Sequence, residues 1–368
     1  MKISKITVYQ SPIALKQPFI ISLGVLTTAE NVIVTINTDN GYLGFGECSP
    51  FKTINGESMH TGFIVAQYLA EPLIGQNPLD IAHCTMLIDT VIYANYSIKS
   101  AFNIALYDIV SQHAGLPLYK FLGGKNNKPL ITDYTISMAH PNKMAADALA
   151  IVGNGFKIIK VKLGQGKVID VNRVYSIRKA VGNNILIRID ANQGWHPNEA
   201  LEILNELAPF NIQHCEEPIA RHLFMDLPAI KQHSPIPIMA DESCCDHHDA
   251  KRLIELKACD MLNIKLGKSG GISNALKIIA LADNENIGLQ IGGFLESRLA
   301  FTASAHLALV SKQAIHCDFD TPLMLQNDFV NGGIRYGPNG EIILPTQSGL
   351  GASVDEKYLH RLVKTVIN

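Results

Sequence analysis

From about residue 130, short apolar runs alternate with amphipathic runs along the chain. Side chains alternate across a strand every second residue, whereas one face of a helix recurs every 3.6 residues, so the two kinds of run can be distinguished. Eight runs predict strands: DYTIS, KIIKVKL, ILIRID, IQHCEE, IPIMAD, MLNIKL, LQIGGF and AIHCDFD. Helical runs such as PNEALEILNELA lie between them. Eight strands that alternate with helices predict a TIM-type barrel over residues 126–320.

The two ends of the chain have different patterns. ISKITVY, ENVIVTINT and GYLGFGEC predict a strand meander, and residues 58–123 predict helices that end at a double glycine. Residues 1–125 therefore predict an α+β domain. Residues 321–368 contain a predicted hairpin, NGGIRYGPNGEI, and we expect this segment to pack back on the N-terminal domain. An open doubly wound sheet is the rival fold, but no GxGxxG follows a first strand.

Composition narrows the class of protein. The 368 residues are 47% hydrophobic and 17% charged with a net charge of −2, which excludes extensive disorder and gives no basic surface for nucleic acid. No signal peptide or membrane-spanning run is predicted. Seven Cys without framework spacing suggest a reducing cytoplasm. Cys244, Cys245, His247 and His248 lack the spacing of zinc ligands, so a loop that leads into a helix is expected there.

Three of the predicted strands end at acidic residues. Asp190, Glu216 and Asp241 follow one another at intervals of about one βα unit, so they should occupy equivalent positions on successive strands. The carboxyl ends of barrel strands meet at one mouth, where three carboxylates would repel one another without a cation. Oxygen ligands without His or Cys favour Mg²⁺.

A simpler interpretation is that each acid caps the helix that follows its strand. One acid alone would favour that interpretation, whereas three at matched positions favour a metal site. Glu217 and Glu242 leave open which acid of each pair faces the metal. Neighbouring side chains on a strand point to opposite sides, so only one acid of each pair should coordinate.

Lysines on two strands predict acid–base chemistry. Lys160 and Lys162 share a face of the second barrel strand, and Lys265 ends the sixth strand, across a barrel of eight. Each could instead be a structural lysine paired with an interior acid. A Lys close to another cation can act as a neutral base, and a metal can take up the charge of a developing enediolate. Two bases on opposite faces of one carbon predict a racemase or epimerase.

These motifs together resemble the enolase superfamily, muconate lactonizing enzyme subgroup. The matching stretches are KVK at 160–162, DAN at 190–192, EEP at 216–218, ADES at 240–243 and NIKLGKSGG at 263–271. The resemblance implies a modified TIM barrel, (β/α)7β, with an N-terminal capping domain that the C-terminal segment completes. It also implies Mg²⁺ on Asp190, Glu216 and Asp241, with Lys162 and Lys265 as the acid/base pair.

Within this subgroup, CDFDTPLML at 317–325 is similar to the dipeptide epimerases. There a D-x-D motif receives the α-ammonium of the substrate, which implies that Asp318 and Asp320 do so here. Chance similarity of a surface acid pair is the alternative. The resemblance also implies substrate contacts from Thr135 and Lys160. It suggests L-Ala-D/L-Glu, a peptidoglycan fragment, as the substrate, epimerised at its second residue.

One departure affects the choice of dipeptide. Ala-Glu epimerases that resemble this chain tend to carry Arg near residue 24, where this sequence has Gly24. Arg298 could supply the missing basic group, or it could be a helix-surface residue. Hydrophobic second residues therefore remain an alternative to Glu. Glu296 is expected to be structural or to support the site from behind.

Other functions remain open at this stage. The same fold could catalyse muconate cycloisomerisation, o-succinylbenzoate synthesis or N-acylamino acid racemisation, but those substrates have no α-ammonium for Asp318 and Asp320. A catalytically inactive binding protein is a further alternative, although all the expected catalytic groups are present. A homo-oligomer is expected by analogy with similar barrel enzymes. The sequence leaves the preferred dipeptide, the oligomeric state and the pathway undetermined.

Overall fold

The N-terminal domain is built on an antiparallel sheet. The computed structural model describes all residues, 1–368. The first strands are β1 (Ile3–Ile21), β2 (Gly24–Thr38) and β3 (Leu43–Cys48). They pair in sequence order as the predicted meander, and the turn between β2 and β3 closes with a Thr38 N to Tyr42 O bond of 3.0 Å. This confirms the predicted meander and its hairpin turn.

Four helices follow this sheet along the chain. They are α1 (Met59–Ala70), α2 (Ile81–Val91), α3 (Tyr96–His113) and α4 (Leu118–Phe121), with a 3₁₀ turn at Glu71–Leu73. Of these, α1 and α3 pack against the sheet. The N-terminus of α1 is a capping box between Ser58 and Thr61. Gly46 of β3 lies so close to α3 that an added Cβ would overlap the carbonyl of Ala101. The interface buries a separate apolar cluster drawn from β1–β3 and α1–α3.

Eight parallel strands form the second sheet in strict sequence order. They are β4 (Tyr134–Ile136), β5 (Ile158–Lys162), β6 (Leu186–Asp190), β7 (Ile212–Glu216), β8 (Ile238–Ala240), β9 (Met261–Lys265), β10 (Gly288–Gly292) and β11 (Ala314–Cys317). All eight were predicted. A parallel bridge between Thr132 and Cys317 joins the first and last strands. The sheet therefore closes into a barrel, as predicted.

Helices connect the strands of the barrel. They are α5 (Pro141–Gly153), α6 (Lys167–Val181), α7 (Pro197–Leu207), α8 (Leu227–His233), α9 (His247–Glu255), α10 (Leu266–Ser269), α11 (Ile272–Glu285) and α12 (Arg298–Ala308), with 3₁₀ turns at Ala208–Phe210 and Arg221–Asp226. Seven helical connections between eight strands give the (β/α)7β arrangement. No helix of the chain combines the length and apolar character needed to cross a bilayer.

The barrel interior is polar at its carboxyl end. In β5, Ile159 and Val161 face outward into the apolar core beneath the helices, while Lys160 and Lys162 alternate with them and point inward. All four side chains are buried. Charged groups in such a position are costly unless they are paired. This alternation is what brings charged side chains to the site described below.

The C-terminal segment returns to the first domain. It comprises α13 (Thr321–Met324), β12 (Val330–Gly332), β13 (Arg335–Tyr336), a 3₁₀ turn (Pro338–Gly340), β14 (Ile342–Ile343), β15 (Ala352–Val354), α14 (Glu356–His360) and β16 (Lys364–Ile367). β13 and β14 form the predicted hairpin, and β16 adds a fourth strand beside β1. The boundaries at residues 125 and 320 stay predictions, because one large apolar cluster runs across both.

Candidate active site

A small cavity of about 40 Å³ lies where the barrel strands end beneath the capping domain. The capping domain supplies apolar walls, and the barrel supplies charged groups. The lining consists of Phe19, Ile21, Phe51, Ile54, Thr135, Lys162, Asn192, Lys265, Gly293, Phe294, Leu295, Asp318, Asp320 and Thr321. The structure therefore brings both predicted lysines, Thr135 and both acids of the D-x-D motif to one cavity.

The three predicted metal ligands lie together below this cavity. Asp190 and Glu216 are paired residues at the ends of β6 and β7, and Asp241 follows β8 directly. All three carboxylates are fully buried. Lys160 Nζ lies 3.1 Å from Asp190 Oδ2 and 2.8 Å from Glu216 Oε2. Burial and the Asp190 carboxylate raise the pKa of Glu216 to about 7. Three buried carboxylates at the ends of successive strands offer the oxygen donors that suit a hard divalent cation such as Mg²⁺.

The second acid of each pair has a different task. Glu217 accepts hydrogen bonds from the backbone N of Asp241 at 2.7 Å and from the backbone N of Ser243 at 3.2 Å. Glu242 accepts one from Asn192 Nδ2 at 3.2 Å. Glu217 thus fixes the backbone that carries Asp241, which leaves Glu216 as the acid of that pair expected to face the metal. Glu217 has a positive φ of 37°, a backbone conformation that residues other than Gly rarely adopt.

The two predicted bases come from opposite sides of the barrel. Lys162 ends β5 and Lys265 ends β9, the second and sixth strands of eight. Lys162 Nζ is 2.6 Å from Asp190 Oδ2, and Lys265 Nζ is 2.7 Å from Asp241 Oδ2. Burial lowers the pKa of Lys265, but the Asp241 carboxylate outweighs burial, so the pKa is raised. A cation on Asp241 would reduce this upward shift by neutralising the carboxylate.

A second group of acids lies where the barrel closes. Asp133 precedes β4, while Asp318 and Asp320 follow β11, and one carboxylate oxygen of each lies within 4.8 Å of the others. Asp318 Oδ2 is 2.8 Å from Lys160 Nζ, and Asp320 Oδ2 accepts a 2.5 Å bond from Thr135 N. Asp320 Oδ1 has no partner in the protein although it is buried. This free acceptor at the cavity suits a cationic group of a ligand.

Arg298 does not fit the prediction made for it. It begins α12, and its guanidinium donates to Asp328 Oδ2 at 2.7 Å and to the carbonyls of Gly332 and Ile334 at 2.5 and 3.0 Å. It also donates to Val330 O. These bonds occupy the side chain in holding residues 328–334, so it is not available to a substrate. Glu296, in contrast, accepts from the backbone N of Phe294 and shapes the cavity wall, as expected of a supporting residue.

The position of Gly24 faces a groove of about 360 Å³ that shares Ile21, Phe51 and Leu295 with the cavity. A Cβ on Gly24 would meet no atom within 4 Å. The charged residues that line the groove are Glu30 and Lys52, which pair with each other at 3.0 Å. The groove therefore offers no unpaired basic group where a Glu side chain would need one.

Sequence reasoning missed two residues of the site. Lys268, within the quoted NIKLGKSGG stretch, donates to Asp241 Oδ1 at 2.5 Å and to the carbonyls of Cys244 and Asn263 at 3.0 Å. It also donates to Asp241 O. Asp133 was included in a strand candidate without a role. The available signal was topological, because the first and last strands of a closed barrel are neighbours.

The chain belongs to the enolase superfamily. Residues 3–123 match the mandelate racemase / muconate lactonizing enzyme N-terminal domain, and residues 143–358 match the enolase C-terminal domain-like family. This confirms the predicted family.

Among curated relatives, the chain is 58% identical to a D-Ala-D/L-Ala epimerase of Cytophaga hutchinsonii, with 100% of each chain covered. It is 38% identical to an L-Ala-D/L-Glu epimerase of Clostridium acetobutylicum, over 95% of this chain and 98% of the relative. A crystal structure of the dipeptide epimerase from Cytophaga hutchinsonii, complexed with Mg and D-Ala-L-Val, has a TM-score of 0.99 at 58% identity and covers 100% of both chains. These relatives are named as epimerases that act on dipeptides.

Proposed function

We propose that this chain is a Mg²⁺-dependent dipeptide epimerase that inverts the α-carbon of the second residue by 1,1-proton transfer between two bases. The observation that carries this proposal is the arrangement of one small cavity. It holds two lysines from opposite strands together with an acid pair that has an unpartnered oxygen. The sequence predicted the same activity, and the names of the relatives agree with it.

Asp190, Glu216 and Asp241 would hold the Mg²⁺ ion. When bound, the ion supplies positive charge that stabilises negative charge on the substrate carboxylate. Around it, Asn263 Nδ2 and Gln290 Nε2 each donate to Glu216 at 3.0 Å, and Lys268 holds Asp241. These contacts orient the metal ligands. Loss of a residue that is hydrogen-bonded to a metal ligand commonly lowers metal affinity or activity.

Lys162 and Lys265 exchange the α-proton. One Nζ, in its neutral form, accepts the proton from one face of the α-carbon, and the other Nζ, in its ammonium form, donates a proton to the opposite face. The roles reverse for the other epimer. The ring centroids of Phe19 and Phe294 lie 6.0 and 5.0 Å from the Nζ atoms of Lys162 and Lys265, respectively. An aromatic face attracts an ammonium, so each ring helps to place its amine.

Asp318 and Asp320 bind the free α-ammonium of the dipeptide. A buried cation requires counter-charges, and Asp320 Oδ1 is buried without another partner. This contact argues against the alternative reactions of the subgroup, because muconate, o-succinylbenzoate precursors and N-acylamino acids lack the ammonium. With such substrates the site would leave buried carboxylates unpaired, which disfavours binding.

For the substrate we favour a dipeptide with a small apolar second residue, such as D-Ala-D/L-Ala. The walls that the capping domain supplies to the cavity are apolar, and the adjoining groove has its single cation, Lys52, paired with Glu30. A Glu side chain would find no free counter-charge there. The relative with 58% identity is named for D-Ala-D/L-Ala. This choice replaces L-Ala-D/L-Glu as the leading substrate and keeps it as the alternative.

The test is a panel of dipeptides incubated with the enzyme and Mg²⁺ in D₂O, followed by mass spectrometry and chiral separation. We expect D-Ala-L-Ala to gain one deuterium and to form its epimer faster than L-Ala-L-Glu. N-acetyl-D-Ala-L-Ala serves as the matched control without an ammonium. Equal turnover of the acetylated compound would contradict the proposed role of the acid pair. A binder without catalytic activity would label none of them.

Three expectations from the sequence stay predictions. They are a cytoplasmic location, a role in peptidoglycan recycling and a homo-oligomeric state. Size-exclusion chromatography with light scattering would test the third.

A further inference from the structure

The acid cluster at the barrel closure contains more negative charge than its fixed cations balance. Asp133, Asp318 and Asp320 contribute three carboxylates. Arg188 Nη1 pairs with Asp133 Oδ2 at 2.8 Å, and Lys160 Nζ pairs with Asp318 Oδ2 at 2.8 Å. Lys160 is in addition shared with the metal-site acids. Three buried carboxylates against two such cations leave one negative charge without a partner.

Two unpartnered oxygens show where this excess lies. Asp133 Oδ1 and Asp320 Oδ1 are both buried and both lack a hydrogen-bond partner in the protein. Asp320 lines the substrate cavity, whereas Asp133 lies behind it and does not. A buried carboxylate oxygen without a partner favours the uptake of a proton or of a further cation. The cluster can therefore hold either one proton or one ammonium.

We infer that Asp133 is a positioning residue that completes a three-acid receptor behind the D-x-D pair, so that the dipeptide ammonium replaces a proton in the cluster. This inference rests on the proposed function and adds a residue that touches no substrate. Asp133 supplies the third negative charge, and Asp320 makes the contact. The displaced proton leaves to the solvent, so substrate binding and proton release are coupled.

The acid–base properties of the cluster agree with this exchange. Burial and the Asp318 carboxylate raise the pKa of Asp320 to about 7. Burial, again with Asp318, raises the pKa of Asp133 well above its ordinary value. For Asp318, Lys160 outweighs burial and lowers the pKa to about 2. The other ionisable groups that face the cluster are Tyr134, Tyr336, Lys162, Lys265, Arg188 and Cys317.

The sign of the expected pH dependence follows. Below about pH 7 the cluster carries its proton, which competes with the substrate ammonium, so kcat/KM falls as the pH falls. Above pH 7 the cluster is free to bind the ammonium. At higher pH the dipeptide itself loses its charge near about pH 8, the ordinary range of an α-amino group. We therefore expect a narrow optimum of kcat/KM between these two limits.

The experiment is calorimetric titration of the Mg²⁺-loaded enzyme with D-Ala-Gly, whose second residue has no epimer. Heats measured in two buffers of different ionisation enthalpy give the number of protons released. At about pH 6 we expect the wild-type enzyme to release about one proton per bound D-Ala-Gly. Propionyl-glycine differs only by lacking the amino group, so it should bind weakly and release none.

The variant Asp133→Asn removes one negative charge without changing the shape of the side chain greatly. We expect the KM for D-Ala-L-Ala to rise about 30-fold or more, with kcat little changed, because the ammonium contact is the same in ground and transition states. The proton release should disappear. A purely structural role for Asp133 would lower kcat and leave the proton release intact.

Proton release by the wild-type enzyme tests the inference even if Asp133→Asn does not fold. Absence of proton release on binding D-Ala-Gly, or equal release with propionyl-glycine, would overturn the inference. The proposed function is tested separately, since an enzyme that labels no dipeptide in D₂O would refute the epimerase itself. Epimerisation without proton release would refute only the role of Asp133.

Discussion

The barrel mouth contains two acid triads that differ in how their charge is balanced. Asp190, Glu216 and Asp241 lie on three successive strands, and buried lysines contact each of them. The second triad brings together the first and last strands, where its cations are Arg188 and the shared Lys160. We propose that the first triad suits a divalent ion and the second a single ammonium. Carboxylates can thus bind two different cations in one barrel mouth, because the charged groups around each triad differ.

Lys160 links the two triads. Its Nζ lies within 3.1 Å of Asp190, Glu216 and Asp318, so a change in one triad alters the field at the other. Three buried ion pairs around one amine are stabilising only when all partners are present. The comparison therefore predicts that each variant chiefly changes one property, which is metal binding, proton transfer or ammonium recognition, and that these properties can be measured separately.

The largest effect should come from removing a base. Lys265→Met removes the amine from one face of the α-carbon, so epimerisation should fall by about 10³–10⁴-fold. Lys162 remains, so exchange of the α-proton into D₂O should persist for one epimer of D-Ala-D/L-Ala. NMR of each epimer measures both effects. Lys251→Met, on the exposed face of α9, is the control, and exchange of both epimers by Lys265→Met would contradict the assignment.

The second-largest effect should be on the second triad, which we propose binds the ammonium. Replacing Asp318 and Asp320 together by Asn should lower kcat/KM for dipeptides by about 10²–10³-fold, because a buried ammonium loses its charged partners. Binding of Mg²⁺, measured by calorimetry, should change far less. Asp328→Asn, which removes a carboxylate outside the cavity, provides the comparison. Dipeptide turnover that survives the double change would show that the D-x-D motif does not bind the ammonium.

A smaller effect is expected on Mg²⁺ binding by the first triad, Asp190, Glu216 and Asp241. Lys268→Met leaves Asp241 and the carbonyls of Cys244 and Asn263 without their shared donor, so Mg²⁺ affinity should fall by about 10–100-fold. Calorimetric titration with Mg²⁺ alone measures this directly. At saturating Mg²⁺ much of the activity should return. Unchanged affinity in a folded variant would mean that Lys268 does not position Asp241.

The smallest catalytic effect is expected at Arg298. Arg298→Ala breaks the bonds that hold residues 328–334, so the free energy of unfolding should fall by about 1–3 kcal/mol. The KM for D-Ala-L-Ala should stay within about 2-fold of wild type, because the side chain does not reach the cavity. Thermal unfolding and steady-state kinetics check both outcomes, with exposed Arg335→Ala as the control. A selective rise in KM would restore the substrate role first predicted for it.

The fold could be predicted largely because its elements carry local signals. Each barrel strand has its own apolar run, and the repeat of strand and helix defines the class. The pairing of β16 with β1 could not be read in the same way, because it joins Ile367 to Ile6 across the whole chain. The pattern of a segment can predict that it forms a strand, but it does not indicate with which strand of a sheet that segment will pair.

The site shows the same limit. Asp190, Glu216 and Asp241 are separated by a regular interval, so their convergence follows from the repeat. Asp133 is near Asp320 only because the barrel closes, and its distance from that residue along the chain hides the contact. Arg298 illustrates the opposite error, since it was expected to supply the basic group missing at Gly24, whereas its side chain bonds to the C-terminal segment.

The most direct test of the central claim is the isotope content of the product formed in D₂O. The enzyme, Mg²⁺ and protiated D-Ala-L-Ala are mixed, and D-Ala-D-Ala is isolated at early conversion. Two lysines on opposite faces predict that the product carries one solvent deuterium at the α-carbon of its second residue and none at the first. A product that retains the original proton would require transfer by one base on one face and would contradict the account.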